Sequence, residues 1–403
     1  MKNNLMITEP SRQISVVADT GVLIVGGGIA GMAAAIAAAR NGAKVTLLER
    51  EFTLGGLATL GLITIYLPLC DGAGRQVCFG LAEELLRLSI KHGAEADYPA
   101  AWLDNGTPEQ RIANRFVTRF NPHLFGLAAE RLLTELGVTI LYGSVAAGVI
   151  RSGSKITHVL VENKSGRTAI AVQSVIDCSG DADICALSGV LTALNPNGNG
   201  LASWYYYLQD GELKLKMFGL ADVVPEKRED NYESGAMTES LDKSFRFSGT
   251  DGAELARANL AARKLMYDDI LTAGVTPVTT PGIPLVRMSR RLIGTATQDA
   301  DIDRTRVERS IGMTGDWRKR GPVYELSFDA LRTPEVTNLL AAGRAISVTD
   351  SLWDITRVIP PCAVTGQAAG TAAALTNDFS SLNITELQSA LKSDGVKLHL
   401  EDL

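Results

Sequence analysis

An α/β fold is what this sequence predicts: a mostly parallel, buried sheet with a β insertion, joined to a second domain of α+β character. Three observations predict it. The stretch VLIVGGGIAGMAAAIAAARNGAKVTLLER (22–50) reads as strand, glycine turn, helix, strand. From about residue 191 the pattern changes to an aromatic strand, a polar stretch and a long helix. From residue 336, VTNLLAAGRAIS and then PPCAVTGQAAGTAAAL restore the first pattern, an apolar strand entering a glycine turn and an Ala/Gly helix. The resulting division is 1–190, 191–335 and 336–403, the last segment returning to the first domain.

Val22–Val25 are apolar without alternation, the mark of a parallel strand buried on both faces. Gly26, Gly28 and Gly31 then fit G-x-G-x-x-G. The first glycine permits a tight turn, the second lets the backbone approach a pyrophosphate, and the third lets the helix pack closely on the sheet. The free N–H groups and positive dipole end of the helix complete an anion site. Alanines 33–35 and 37–39 make a thin helix, Asn41-Gly42 stops it, and Val45–Leu48 form the next strand. Glu49, 18 residues past Gly31, falls where an acid hydrogen-bonds ribose hydroxyls. Strand, glycines, helix, strand and acid in this order identify a dinucleotide site; they do not separate FAD from NAD.

Further along, Leu81, Leu85 and Leu88 share one face of a helix over 80–93. Asn121 as N-cap, Pro122 at the first helical position and Gly137 past the end delimit another helix, which leaves His123 exposed in its first turn. VTILYGS (138–144) is strand-like, residues 155–173 form a hairpin turning at Ser165-Gly166, and SVIDCSGD (174–181) is a buried strand ending in a glycine turn. In the second domain, 202–210 is a strand in which Tyr205, Tyr206 and Tyr207 alternate faces, 253–274 is a helix, and VRMSRRLIG (286–294) is strand-like and basic.

With 403 residues, 46% hydrophobic and 21% charged, the chain has the composition of a globular protein with two or three cores. A net charge of −6 without a basic block argues against nucleic acid as a partner. No apolar run is long enough to span a bilayer, and MKNNLMITEPSRQ lacks the apolar core of a secretory signal, so a cytoplasmic protein without a membrane partner is expected. None of the five cysteines forms C-x-x-C, and Cys178 and Cys185 read as small buried hydrophobes. The acidic run 299–310 has Arg304 where a calcium loop needs glycine and Ser310 where it needs glutamate, so no metal site is expected.

On VLIVGGGIAGMAAA, LGGLAT, VIDCSGDADICALSG, SRRLIG, LLAAGRAIS and TRVIPPCAVTGQAAGTAAAL, the sequence resembles FAD-dependent oxidoreductases of the flavoprotein class that includes fumarate reductases and L-aspartate oxidases. The resemblance implies a Rossmann-like FAD-binding domain with a substrate or cap domain. It implies that Gly26, Gly28 and Gly31 approach the pyrophosphate and that Glu49, with Arg50 beside it, holds the adenosine ribose. It puts Gly55, Gly56 and Gly180 among the FAD contacts, the first two flanking the flavin, Val145 at the adenine, and Gly343 and Arg344 at the ribityl–phosphate arm. Gly366 and Gln367 are expected to open a helix aimed at the flavin pyrimidine ring. Arg357, at the family's TR position, is the first candidate for a catalytic or substrate-anchoring residue, with Arg290 and Arg291 next.

The expected partner is a small-molecule substrate, anionic if Arg357 anchors it; the oligomeric state stays open. No histidine lies in GGLATLGLITIYLPLCDG, where some relatives attach FAD covalently, so FAD is expected to be non-covalent. The leading reading is hydride transfer between substrate and FAD; the alternatives are a flavin electron-transfer subunit and a non-redox or lyase-like protein on the same scaffold. One fingerprint only, and none in 191–335, predicts no dedicated NAD(P)H site.

Overall fold

The computed structural model describes residues 7–91, 100–103, 106–113, 118–218, 237–238 and 245–403. The polar stretch expected after the aromatic strand falls largely outside these residues, as do the last two residues of the helix expected over 80–93.

Strand β1 (Val16–Val25) is buried from Val22 onward and lies between two parallel neighbours. On one side it pairs with β2 (Val45–Leu48), Val22 opposite Val45; helix α1 (Ile29–Arg40) connects the two. Gly42, at φ +83°, follows that helix as the composition predicts. Helices α2 (Leu81–Ile90) and α3 (Pro122–Glu135) come next; the Asn121 side chain accepts the N–H groups of His123 and Leu124, and Gly137 stands at φ +77°. β3 (Thr139–Leu141) extends the parallel sheet beyond β2.

The β insertion is larger than predicted. It comprises β4 (Val145–Ser152), β5 (Lys155–Asn163) and β6 (Gly166–Asp177), and β4 is a strand the sequence reading does not contain. β6 also merges two predicted pieces into one strand of 12 residues. Its beginning pairs antiparallel with β5, and its end pairs parallel with β1, Val25 opposite Asp177. The sheet runs β3-β2-β1-β6-β5-β4.

Beyond α4 (Asp183–Leu187) and β7 (Thr192–Leu194) lies a separate four-stranded sheet. In it β8 (Ser203–Gln209) sits between β9 (Glu212–Phe218) and β10 (Thr276–Thr279), with α5 (Gly252–Ala273) between β9 and β10 in sequence. The basic segment contributes only β11 (Arg290–Leu292), paired with β7. The hairpin β12 (Ser310–Gly315) and β13 (Val323–Ser327) follows. Although it precedes residue 336, its Ile311, Met313, Val323 and Leu326 pack into the core beneath the large sheet. β14 (Leu339–Ala341) then pairs with the end of β6, Leu339 opposite Val175, and completes the predicted return.

Two helices close the centre: after the short α6 (Asp350–Thr356), α7 (Ile359–Leu375) crosses α1, and α8 (Ile384–Ser393) packs outside it. Both α1 and α7 are buried almost throughout, so hydrophobic periodicity is absent and small size decides their packing. A Cβ on Gly366 would fall on the Ala30 carbonyl, and one on Gly370 on the Ala34 carbonyl. The alanines and glycines let the two backbones meet at a distance larger side chains would forbid.

Candidate functional site

At the C-terminal edge of β1, β6 and β14 a cavity of about 540 Å³ opens between the large sheet and the four-stranded sheet, within the usual range for a small-molecule site. Such a crevice at the carboxyl ends of parallel strands is where α/β folds bind ligands.

One end is built from backbone. Gly26 turns the chain at φ +101°, and a Cβ there would strike the Cys178 carbonyl. Gly28 lines the cavity and has nothing within 4 Å of where its Cβ would stand. It N-caps α1 without a side-chain cap, so the first amides of that helix remain available to an anion. Gly55 and Gly56, at φ +101° and +54°, form a second turn pinned to the first by Gly55 N–H donating to the Gly27 carbonyl at 2.8 Å.

Glu49 is buried on the cavity wall, where its carboxylate accepts Gly27 N–H at 2.6 Å and Glu51 N–H at 2.8 Å. Burial pushes its carboxyl pKa up, opposed by those two donors and by Arg50. Arg50 and the half-exposed Val145, first residue of β4, line the same end.

The opposite side comes from β6 and β14. Asp177 accepts Ser179 N–H at 3.1 Å and Cys185 N–H at 2.9 Å, shaping the turn at Gly180, which has φ +83°. Gly343, at φ +70°, donates its N–H to Thr365 Oγ1 at 3.0 Å. Arg344 lies against Gly180, donates to the carbonyls of Val286 and Arg287, and has Asp181 at 3.8 Å.

The far wall is made of side chains. Arg357, at the C-cap of α6, is buried, donates through Nε to Asp354 at 2.8 Å and lies 5.9 Å from the Trp317 ring centre. Asp354 is shared with Arg318 at 3.6 Å. Across from it, Trp204 of β8 packs with Ile65, Met217 and Leu285, and the Arg287 guanidinium stands 5.3 Å from its ring centre. Burial, then the charges of Arg357 and Arg344, pull the Arg287 pKa down to about 9.

Five expected site residues stand elsewhere. Gly31 packs on the Gly26 carbonyl, serving helix–sheet contact rather than the cavity. Gly366 lies inside α7 against α1, and Gln367 Oε1 accepts Leu81 N–H at 2.8 Å, capping α2. The helix opens seven residues earlier than expected, at Ile359 after the N-cap Val358, and it is Val358, Ile359 and Cys362 that face the cavity. Pro360 and Pro361 supply no N–H, so this helix start presents fewer donors than an ordinary one. Arg290 is held by Asp183 at 2.8 Å and the Asp181 carbonyl; Arg291 pairs with Asp350 at 3.1 Å and stacks on Trp353. Neither reaches the cavity lining.

The sequence reading missed Trp204, Arg287 and Trp317. Of Trp204's neighbours on the strand, Tyr205 and Tyr206 are engaged with Asp269 and Thr64. Nothing in one dimension separates Arg287 from Arg290 and Arg291 three and four residues on.

Fold and cavity define a dinucleotide-binding α/β protein of the single-fingerprint type. The chain matches the model of the family described as FAD dependent oxidoreductase over residues 21–283 and 292–391, and it belongs to that family. FAD is therefore its cofactor, and the open cradle at Gly28 with the uncapped start of α1 fits a pyrophosphate.

Among solved structures, the chain is similar to the aromatic hydroxylase CabE from angucycline biosynthesis (14% identity, 94% of this chain and 66% of that one, TM-score 0.45). A geranylgeranyl bacteriochlorophyll reductase-like protein from Thermoplasma acidophilum matches at 14% identity over 96% and 86%, TM-score 0.44. A triple mutant of the flavin-dependent brominase Bmp2 matches at 13% identity over 93% and 84%, TM-score 0.45. The chain thus spans 66% of CabE's length. The comparison with curated proteins returned no match. No helix among the described residues is long and apolar enough to cross a membrane.

Proposed function

We propose that this protein transfers hydride between a small organic substrate and non-covalently bound FAD, the substrate entering against the wall formed by Trp204, Trp317 and Arg357. The observation that carries the reading is the continuity of one cavity from the glycine loops to that wall. FAD supplies the redox chemistry when bound.

The chain supplies position and charge. Gly28 and the start of α1 hold the pyrophosphate; Glu49 takes the ribose, with Arg50 and Val145 at the adenosine end. Gly55, Gly56, Gly180, Gly343 and Arg344 border the remainder of the cofactor path. Arg357, oriented by Asp354, presents a guanidinium where an anionic substrate group is anchored. The apolar side chains of Ile63, Ile65 and Met217 keep water from that end.

The test is anaerobic titration of the purified yellow protein with hydroxy acids, amino acids, enoates and sugars, followed by flavin absorbance. One class should bleach the oxidised flavin, or reoxidise the reduced flavin, rapidly. A protein that releases no FAD on denaturation, or whose flavin answers only in the presence of another protein, overturns the proposal.

A further inference from the structure

Four arginines line the cavity, and three have a carboxylate beside them: Arg50 has Glu51 at 3.7 Å, Arg344 has Asp181 at 3.8 Å, and Arg357 has Asp354. Arg287 has none. Its Nε and Nη2 are shielded from solvent and meet no hydrogen-bond acceptor among the described residues. A half-buried guanidinium with two shielded and unsatisfied nitrogens, near two others of the same sign, is costly unless an anion joins it.

Its backbone, by contrast, is fixed. Asn199 Oδ1 accepts the N–H groups of Arg287 and Met288, each at 3.0 Å, Asn199 Nδ2 returns a bond to the Met288 carbonyl at 2.6 Å, and Arg344 grips the Arg287 carbonyl at 3.0 Å. The chain therefore holds in place a cation that no described residue pairs with directly. The phosphate cradle at Gly28 is built without it. Arg287 instead lies over Trp204, on the apolar wall with Ile65, Met217 and Leu285.

We propose that Arg287 is a specificity-determining anchor for the substrate, and that the substrate is an organic carboxylate whose flat apolar body lies along the Trp204 wall. This rests on the cavity being the flavin and substrate site proposed above. Arg287 binds the carboxylate as a charge-assisted fork, and Trp204 and its neighbours cover the rest of the molecule. The same wall discriminates against small hydrophilic acids, which leave the apolar surface uncovered, and against neutral amides, whose single carbonyl acceptor leaves the guanidinium charge unneutralised and its fork half filled.

The experiment is calorimetric titration of the flavin-loaded protein with cinnamate, cinnamamide and acetate. Cinnamate should bind at least about tenfold more tightly than either of the others. Arg287→Met should weaken cinnamate by roughly 30-fold or more, and Arg287→Lys should recover part of the loss. Because the side chain has no hydrogen-bond partner among the described residues, and a methionine can still pack on Trp204, Arg287→Met should keep its flavin and melt no lower than the parent protein.

Equal binding of cinnamate and its amide, or cinnamate binding unchanged in Arg287→Met, overturns the proposal. So does a lowered melting temperature, which would make Arg287 structural, or selective loss of flavin, which would assign it to the cofactor phosphates. A parent protein that carries no flavin but binds cinnamate through Arg287 would sink the flavoenzyme reading and leave the carboxylate anchor standing.

Discussion

The two ends of the cavity are made of different material. At the fingerprint end the surface is backbone: Gly26, Gly28, Gly55 and Gly56 set the shape by what they lack, and the buried Glu49 carboxylate braces the loop through Gly27. At the far end the surface is side chain: Trp204, Trp317, Arg287 and Arg357 arrive from separate segments of the sequence. A surface made of backbone can be read locally, because a glycine at a left-handed or open position announces the constraint it serves. A wall assembled from distant side chains carries no such local mark. Mutation should separate the two ends by what is lost: the cofactor at one, and substrate response at the other.

The largest effect expected lies at neither end. Gly366→Val drives a branched side chain into the Ala30 carbonyl and should cost about 3 kcal/mol or more, seen as loss of soluble, cooperatively melting protein. Gly28→Val is its counterpart: a Cβ there has nothing within 4 Å, so the fold should persist while flavin content drops below roughly a tenth of the normal ratio, by blocking backbone approach to the pyrophosphate. Normal flavin content in folded Gly28→Val would break the contrast between the two ends.

At the side-chain wall, Arg357→Ala should leave flavin content near normal and slow substrate-driven reduction by roughly 100-fold. Asp354 keeps Arg318 as a partner, which limits the structural damage. Arg357→Lys should rescue only in part. Unchanged stopped-flow reduction in Arg357→Ala would remove it from the site.

Glu49→Gln should act more mildly, weakening FAD by about tenfold through a poorer acceptor for ribose and for Gly27 N–H, measurable by fluorescence titration of the apoprotein. Smallest of all should be the response to nicotinamide: NADH and NADPH should bleach the flavin slowly or not at all, since 191–335 holds no second fingerprint. Fast, saturable bleaching in a stopped-flow instrument would reveal a site built, like the far wall, without a local signature.

The same division governs what the sequence made legible. The strand–turn–helix–strand unit, the capped helix after Asn121 and the returning strand at Leu339 stand where glycine, proline and capping residues put them. β4 escaped because Val145–Ser152 alternates weakly and is mostly exposed or half-buried, so no face declares itself. The start of α7 was misplaced because the family resemblance puts the opening at Gly366, while Pro360 and Pro361, natural first-turn residues, begin the helix earlier. Arg290 and Arg291 were chosen over Arg287 because charge type is visible in sequence, whereas the presence of Asp183 and Asp350 beside two of them is a fact of three-dimensional packing.

The crossing of α1 with α7 also sets an order of events during synthesis. Ala30 and Gly366, which meet there, are separated by more than 300 residues, as are Gly28 and Gly343 on the cavity wall. At ordinary translation rates the ribosome needs roughly 15 to 60 seconds to travel from one to the other. Throughout that interval the glycine loop exists without the helix that buries its neighbour. The pocket therefore closes late in the chain's production, and the nascent fingerprint helix, apolar on every side, is the segment most in need of shielding until its partner emerges.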